Sequence, residues 1–353
     1  MTSKRQQLDE GYIKKIYQEI CQHVEEFHKE QKPDEQAFDN WAKIICQPRF
    51  KLIKNLIYLL EQEDTDFQDK EMIFSIFNHI LLINPNSANQ MVKFDTLPKI
   101  LVDYLFQYKK EKGKNDLCGI NTLSYAFRIN QYQSLLNVEF ITIILDSLTI
   151  VKEQNVLENL IRILIEINSI YTKVEDNIFL VAYDTNDNQH LVGEVILRLL
   201  NNEKNQPFLE KVLYCMKCLM DKKKKDIFYS KDLEAFIDIA IRYLESTDNN
   251  EFRCLVLEIL QRITKFEEYF NIMYKTKDLQ DLVEDYIKSD KVSEKAKNKG
   301  RSVLNNLAKN FQKKLLIKSG MKLDEILKGE EEDDEYEEGE EEEDDDQEQE
   351  DQK

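Results

Sequence analysis

Apolar residues recur at helical spacing along almost the whole chain, and few residues interrupt them. Leu52, Ile53, Leu56, Leu59 and Leu60 form one stripe, and Ile73, Phe74, Phe77, Leu81 and Leu82 form the next. Spacings of three and four residues put such side chains on one face of an α-helix. Only 8 Gly and 5 Pro punctuate 353 residues that are 42% hydrophobic. Sandwiches, barrels and collagen-like repeats need turn residues at much shorter intervals. No segment alternates with period two for long. These features predict an all-α chain.

The stripes continue in both directions. Leu8–Lys29 carries Tyr12, Ile13, Ile16, Tyr17, Ile20, Val24 and Phe27, and Trp41, Ile44 and Ile45 form a short face before Pro48. Pro98 fits the first turn of a helix whose face is Ile100, Leu101, Tyr104 and Leu105. The polar run Lys109–Asp116 reads as an exposed loop. Further helices are predicted over Leu117–Ile129, Val138–Val151, Val156–Tyr171, Leu191–Leu200, Phe208–Met220, Leu233–Leu244, Phe252–Phe266, Leu279–Ile287 and Lys295–Lys318. Breaks fall at Asn and Asp clusters such as Asp184–Asn188, Asn201–Asn205 and Thr247–Asn250, whose short polar side chains compete for backbone hydrogen bonds.

A dozen or more amphipathic helices can close around one core or stack in series. Single cores stop growing near ~250–300 residues, whereas stacked units bury their faces only against neighbours. The helices recur roughly every 40 residues per two or three helices, close to the armadillo/HEAT period. The expected fold is an armadillo/HEAT-like α-solenoid with degenerate repeats. Its expected divisions are an N-terminal helix in 1–34, a helical domain over 35–318 and an acidic tail over 319–353.

The net charge of −19 is concentrated in that tail. Residues 330–353 hold 18 of the 68 acidic and one of the 49 basic residues, leaving 50 and 48 in the body. The body is therefore nearly neutral, which does not support a nucleic-acid-binding domain. The tail is too charged and too poor in apolar residues to offset chain entropy, so disorder is expected there. Opposite in sign, Lys295–Lys318 reads as a basic amphipathic helix able to attract the tail in cis, an interaction that salt would screen. Lys222, Lys223, Lys224 and Lys225 form a second basic feature, either a solvated loop or a contact for an acidic partner.

The chain offers little for chemistry. Cys215 and Cys218 make a CxxC inside a helical pattern, where both sulfurs take core positions, and no second pair follows at zinc spacing. His23, His28, His79 and His190 are scattered, and His79 beside an apolar face reads as a satisfied core side chain. GxGxxG, GxxxxGK[ST], GxSxG and HExxH are absent. The expectation is a binding protein that is no enzyme and takes no cofactor or metal. No secretory pattern and no apolar run near the ~20 residues needed to span a bilayer is seen. Six unpatterned cysteines fit a reduced, cytosolic or nuclear setting.

Two blocks go beyond generic patterning. Val192-Gly193-Glu194 leads to Leu199-Leu200-Asn201, and Ile227-Phe228-Tyr229 leads through Asp232 to Ile237-Asp238-Ile239 and Arg242. In this order and spacing they resemble the armadillo-like leucine-rich domain of the WISH/DIP family, the animal NCK-interacting WISH protein and its shorter fungal Dip relatives. Local physics is consistent with the second block. Asp232 stands at an expected N-cap, and Asp238 and Arg242 are spaced i, i+4. Gly193 would allow close helix packing, and Phe228 and Tyr229 would anchor the core. Gly193, Glu194, Phe228, Tyr229 and Asp232 are thus expected to keep the fold, while Lys222–Lys225, Asp238 and Arg242 are candidate partner contacts.

The resemblance implies an activator of the actin-related protein 2/3 complex that nucleates unbranched filaments without a preformed filament. It also implies a cytoplasmic place in the actin cytoskeleton, contact with at least two subunits of that complex, indirect contact with actin, and a protomer that is monomeric alone. The chain lacks the Src-homology domain and proline-rich stretch of the animal members and resembles the short fungal form. Its acidic tail is outside the family pattern. Other readings are a generic armadillo adaptor, which would show a ladder of Asn and Trp that a single Trp cannot supply, and an acidic-tailed chaperone of basic proteins.

Overall fold

The computed structural model describes residues 51–62, 65–126, 135–186, 189–221, 228–290 and 292–319. The stripes of Leu8–Lys29 and Trp41–Ile45, and the tail, lie outside these residues. Every regular element among the described residues is a helix. The chain divides into two compact units, Met1–Phe228 and Tyr229–Lys353.

The first unit contains α1 (Lys51–Leu60), α2 (Phe67–Ile83), a 3-10 turn at Pro85–Ser87, α3 (Ala88–Met91), α4 (Leu97–Lys112) and α5 (Leu117–Ala126). It continues with α6 (Val138–Ser147), α7 (Gln154–Asn168), α8 (Ile178–Asp184), α9 (Gln189–Asn202) and α10 (Gln206–Asp221). The second unit contains α11 (Ser230–Ser246), α12 (Asn250–Ile263), α13 (Glu267–Ile272), α14 (Thr276–Lys288) and α15 (Glu294–Lys318).

The residues that break the helices also start them. Asp66, Asn137, Asn177, Asn205 and Asn249 each accept a hydrogen bond from a backbone N–H two or three residues on, in the first turn of the helix that follows. Ser293 does the same for α15. Each such cap satisfies a donor that the helix leaves open and contributes about 1 kcal/mol.

Within each unit, the principal helix packings join elements no more than three apart along the chain. Polar links keep the same rhythm. Lys109 and Asn186 reach the Asp146 carboxylate at 2.7 and 2.9 Å. Arg162 pairs with Glu203, Lys211 with Glu166, and the Tyr214 hydroxyl donates to the Tyr171 carbonyl. In the second unit Asn306 donates to the Gln261 carbonyl and Asn310 to the Thr264 carbonyl, at 2.9 and 2.7 Å. These partners stand 37 to 46 residues apart. Side chains thus bond across one armadillo-like period, the behaviour of stacked units rather than of a single closed core.

The polar run Lys109–Asp116 departs from the sequence expectation. α4 continues to Lys112 and ends at Gly113 in the left-handed region, φ 66. Only residues 110–114 are exposed. Asn115 donates to the Ile143 carbonyl and the Ser147 hydroxyl, and Asp116 is buried. Polarity in this run marks bonds made inward as well as solvent contact. The short helices α8 and α13 are also unanticipated, because six or seven residues cannot display a helical period.

α14 and α15 approach closely at Gly300. A Cβ there would meet Ile287 Cγ2 at 2.8 Å and Val283 Cγ1 at 3.2 Å. Gly300→Ala gains about 1 kcal/mol of helix propensity, which offsets a clash with the movable tip of Ile287, so it should be near neutral. Gly300→Leu is expected to destabilise by about 2–3 kcal/mol through overpacking. Urea unfolding of the two variants checks the contrast, and equal stabilities would contradict this packing.

Candidate partner-binding surface

The first family-like block lies on α9 and splits cleanly between core and solvent. Val192, Gly193, Leu199 and Leu200 are buried, whereas Glu194 is exposed and pairs with Arg198 one turn on, at 2.8 Å. An exposed pair of this kind contributes only a few tenths of a kcal/mol. The block therefore holds α9 in place mainly through its apolar members.

The second block begins at the join of the two units. Phe228 is buried, as a core anchor should be. Tyr229 is 60% exposed, which corrects its reading as a second anchor. Tyr229 is the N-cap of α11, and Asp232 is the third helical residue rather than the cap itself. The Asp232 carboxylate accepts from the Tyr229 N–H at 2.9 Å, the acidic half of a capping box. Leu233, Phe236, Ile237, Ala240 and Leu244 bury the predicted stripe.

Asp238 and Arg242 lie one turn apart on the exposed side of α11. The structure gives Asp238 further partners that the local spacing could not reveal. Its carboxylate accepts from Lys275 Nζ at 2.8 Å and from the Tyr274 hydroxyl at 3.3 Å. The Asp238 hydrogen bond holds the Lys275 ammonium above its ordinary pKa. Met273 and Lys275 flank Tyr274 with φ of 44° and 45°, a left-handed conformation uncommon for residues with a Cβ. Such residues persist only where surrounding bonds fix them. Here the Thr276 hydroxyl donates to the Met273 carbonyl at 2.8 Å and lies 3.2 Å from the Tyr269 hydroxyl. The Arg242 guanidinium sits 5.4 Å from the Tyr243 ring centroid, and Tyr243 packs edge-on against Phe252. Charged groups of both signs are thereby held on one exposed face of the second unit.

Sequence reading missed Tyr274 and Lys275. They lie 36 and 37 residues beyond Asp238, one repeat away, so only an internal repeat alignment could have linked them. Lys222–Lys225 lie outside the described residues.

The cysteine reading fits the structure. Cys215 and Cys218 are buried free thiols on α10. Burial pushes both thiols up in pKa, most strongly Cys215, so they stay protonated and unreactive near neutral pH. His79 is half-buried, with Nδ1 at 2.7 Å from the Ser75 carbonyl. Among the described residues no group of His, Cys, Asp and Glu is arranged to hold a metal ion. No described helix is long and apolar enough to cross a membrane.

Comparison with curated proteins gives no match. Residues 152–279, which run from the start of α7 into α14 and include both motif blocks, match the model of the SPIN90/Ldb17 leucine-rich domain.

Proposed function

We propose that the protein is a non-catalytic activator of the actin-related protein 2/3 complex, nucleating unbranched actin filaments without a preformed filament. The observation that carries this reading is the family-domain match over 152–279, coincident with the two motif blocks. The helical body supports it, because prefolded helices lose little freedom on binding.

A binding protein activates only by favouring the active conformation of its partner over the inactive one. Moving that equilibrium from mostly off to mostly on takes about 5 kcal/mol of differential affinity. A patch that touches one rigid subunit cannot supply it. The surface must meet at least two subunits that move relative to each other. Lys222–Lys225, Asp238 and Arg242 are the proposed contacts, with Lys275 and Tyr274 holding Asp238 in place. Actin is engaged indirectly, the protein acts as a monomer, and its setting is the cytoplasmic actin cytoskeleton.

Bulk actin polymerisation with the full chain, the complex and no preformed filaments tests the proposal. The lag should shorten only when both protein and complex are present. A trace identical to complex alone would contradict it. Removing 330–353 should leave activation largely intact, whereas a tail-driven chaperone of basic proteins would lose its binding.

A further inference from the structure

The C-terminal end of α15 is unlike the rest of the described surface. Phe311, Leu315, Leu316 and Ile317 are 58%, 52%, 40% and 37% exposed. Among the described residues the other exposed large apolar side chains stand singly, from Tyr58 to Tyr229. Scattered exposed apolar residues need no explanation, but four within seven residues of one helix mark a surface that something covers. The same helix carries eight basic residues and one acidic residue, Glu294. Its basic groups fall at both ends, Lys295–Arg301 and Lys309–Lys318.

The chain that follows α15 contains both complements, in matching order. Met321, Leu323, Ile326 and Leu327 come first, and the run of 18 acidic residues over 330–353 comes next. Folding back from Ser319 would bring the apolar residues to the apolar end of α15 first. It would then bring the acidic run along the lysines toward Lys295. α15 has 25 residues, so it is about 37 Å long. The eleven steps from Ser319 to Glu330 span about 36–40 Å when extended. The acidic run can therefore reach any basic residue of α15.

We propose that residues 321–353 dock back onto α15, with Met321–Leu327 over Phe311–Ile317 and the acidic run along the basic residues. Charge selects this occupant over others. An anionic membrane or an acidic partner would approach a helix already followed by a net −17. A short tether also gives the segment an effective concentration in the millimolar range, which a second copy in dilute solution does not match. The basic residues at the two ends of α15, Lys295–Arg301 and Lys309–Lys318, are the positions the acidic run would lie against. The docked segment keeps the end of α15 covered until a competing partner or high salt displaces it. This inference is independent of the actin reading.

Zero-length carbodiimide cross-linking of the full chain, read by mass spectrometry, tests it. Cross-links from acids in 330–353 should concentrate on the α15 lysines at least fivefold over Lys54, Lys99 and Lys152. Their yield should fall severalfold as salt rises from 0.1 to 1 M, because the screening length shortens from about 10 Å to about 3 Å. In a mixture of isotopically light and heavy protein they should join light to light and heavy to heavy. Lys309→Glu/Lys313→Glu/Lys318→Glu should lower the cross-links to the remaining α15 lysines, Lys295, Lys297, Lys299 and Lys314, severalfold. A tail with its acids changed to Asn and Gln, which leaves the described helices untouched, should raise binding of an apolar dye severalfold if acid–base contacts hold Met321–Leu327 in place. Cross-links spread evenly over the body lysines, or joining light to heavy chains, would overturn the proposal. Dye binding unchanged by the neutral tail would overturn it too.

Discussion

Asp116→Ala is expected to lower the stability of the first unit by about 3 kcal/mol. The Asp116 carboxylate is buried between α4 and α5. It accepts from the Gly119 N–H at 2.7 Å, the Tyr104 hydroxyl at 2.9 Å and the Cys118 N–H at 3.3 Å. Truncation leaves all three donors without this acceptor, and each buried orphan costs about 1–3 kcal/mol. The site has little room to relax, since a Cβ on Gly119 would meet Leu105 Cδ2 at 2.8 Å. Asp116→Asn keeps an acceptor and should cost much less.

The two variants also separate in pH. Desolvation lifts the Asp116 carboxyl above the ordinary carboxylate range, although its bonds to Gly119, Tyr104 and Cys118 pull the other way. A carboxyl whose folded pKa exceeds its unfolded value of about 3.9 binds its proton more tightly in the folded state. Its stabilising contribution is full below the unfolded pKa and is lost as pH rises through the folded one. The advantage of wild type over Asp116→Asn should therefore be larger near pH 4 than near pH 7. Chemical denaturation at both values checks the sign, and an advantage that grows with pH would contradict it.

The second large effect concerns the charged face of α11. Asp238→Lys combined with Arg242→Glu should raise the concentration needed for half-maximal activation by about tenfold or more, since mismatched charges at an interface cost more than 1 kcal/mol. Stability should change by less than about 1 kcal/mol, because both residues are exposed and such pairs contribute little. The control is Glu194→Lys on α9, which carries a comparable exposed charge outside the proposed contact. Equal loss from both changes would point to a general charge effect rather than to this face.

What sequence could show depended on the range of the interaction. The stripes of α9, α10 and α11 were legible because their apolar residues repeat within a single helix. The Asn and Asp breaks were legible because capping is local. Asp232 was placed three residues off, since an acid just before an apolar stripe can be a cap or its partner, and only the backbone decides. Tyr229 was misread because an aromatic beside a buried phenylalanine gives no sign of which way it points. Asp116 was hidden in a polar run, where burial has no compositional signature. The bonds from Asp238 to Tyr274 and Lys275 span a full repeat, and the degenerate repeats gave no register with which to align them.

Fluorescence imaging of single filaments tests whether the protein activates the complex without a preformed filament. Full-length protein, the actin-related protein 2/3 complex and monomeric actin are combined without preformed filaments, and new filaments are counted. Many new filaments that start unbranched are expected, in numbers that rise with the protein and vanish without the complex. Filament numbers no higher than with the complex alone, or filaments that arise only as branches on existing ones, would contradict it.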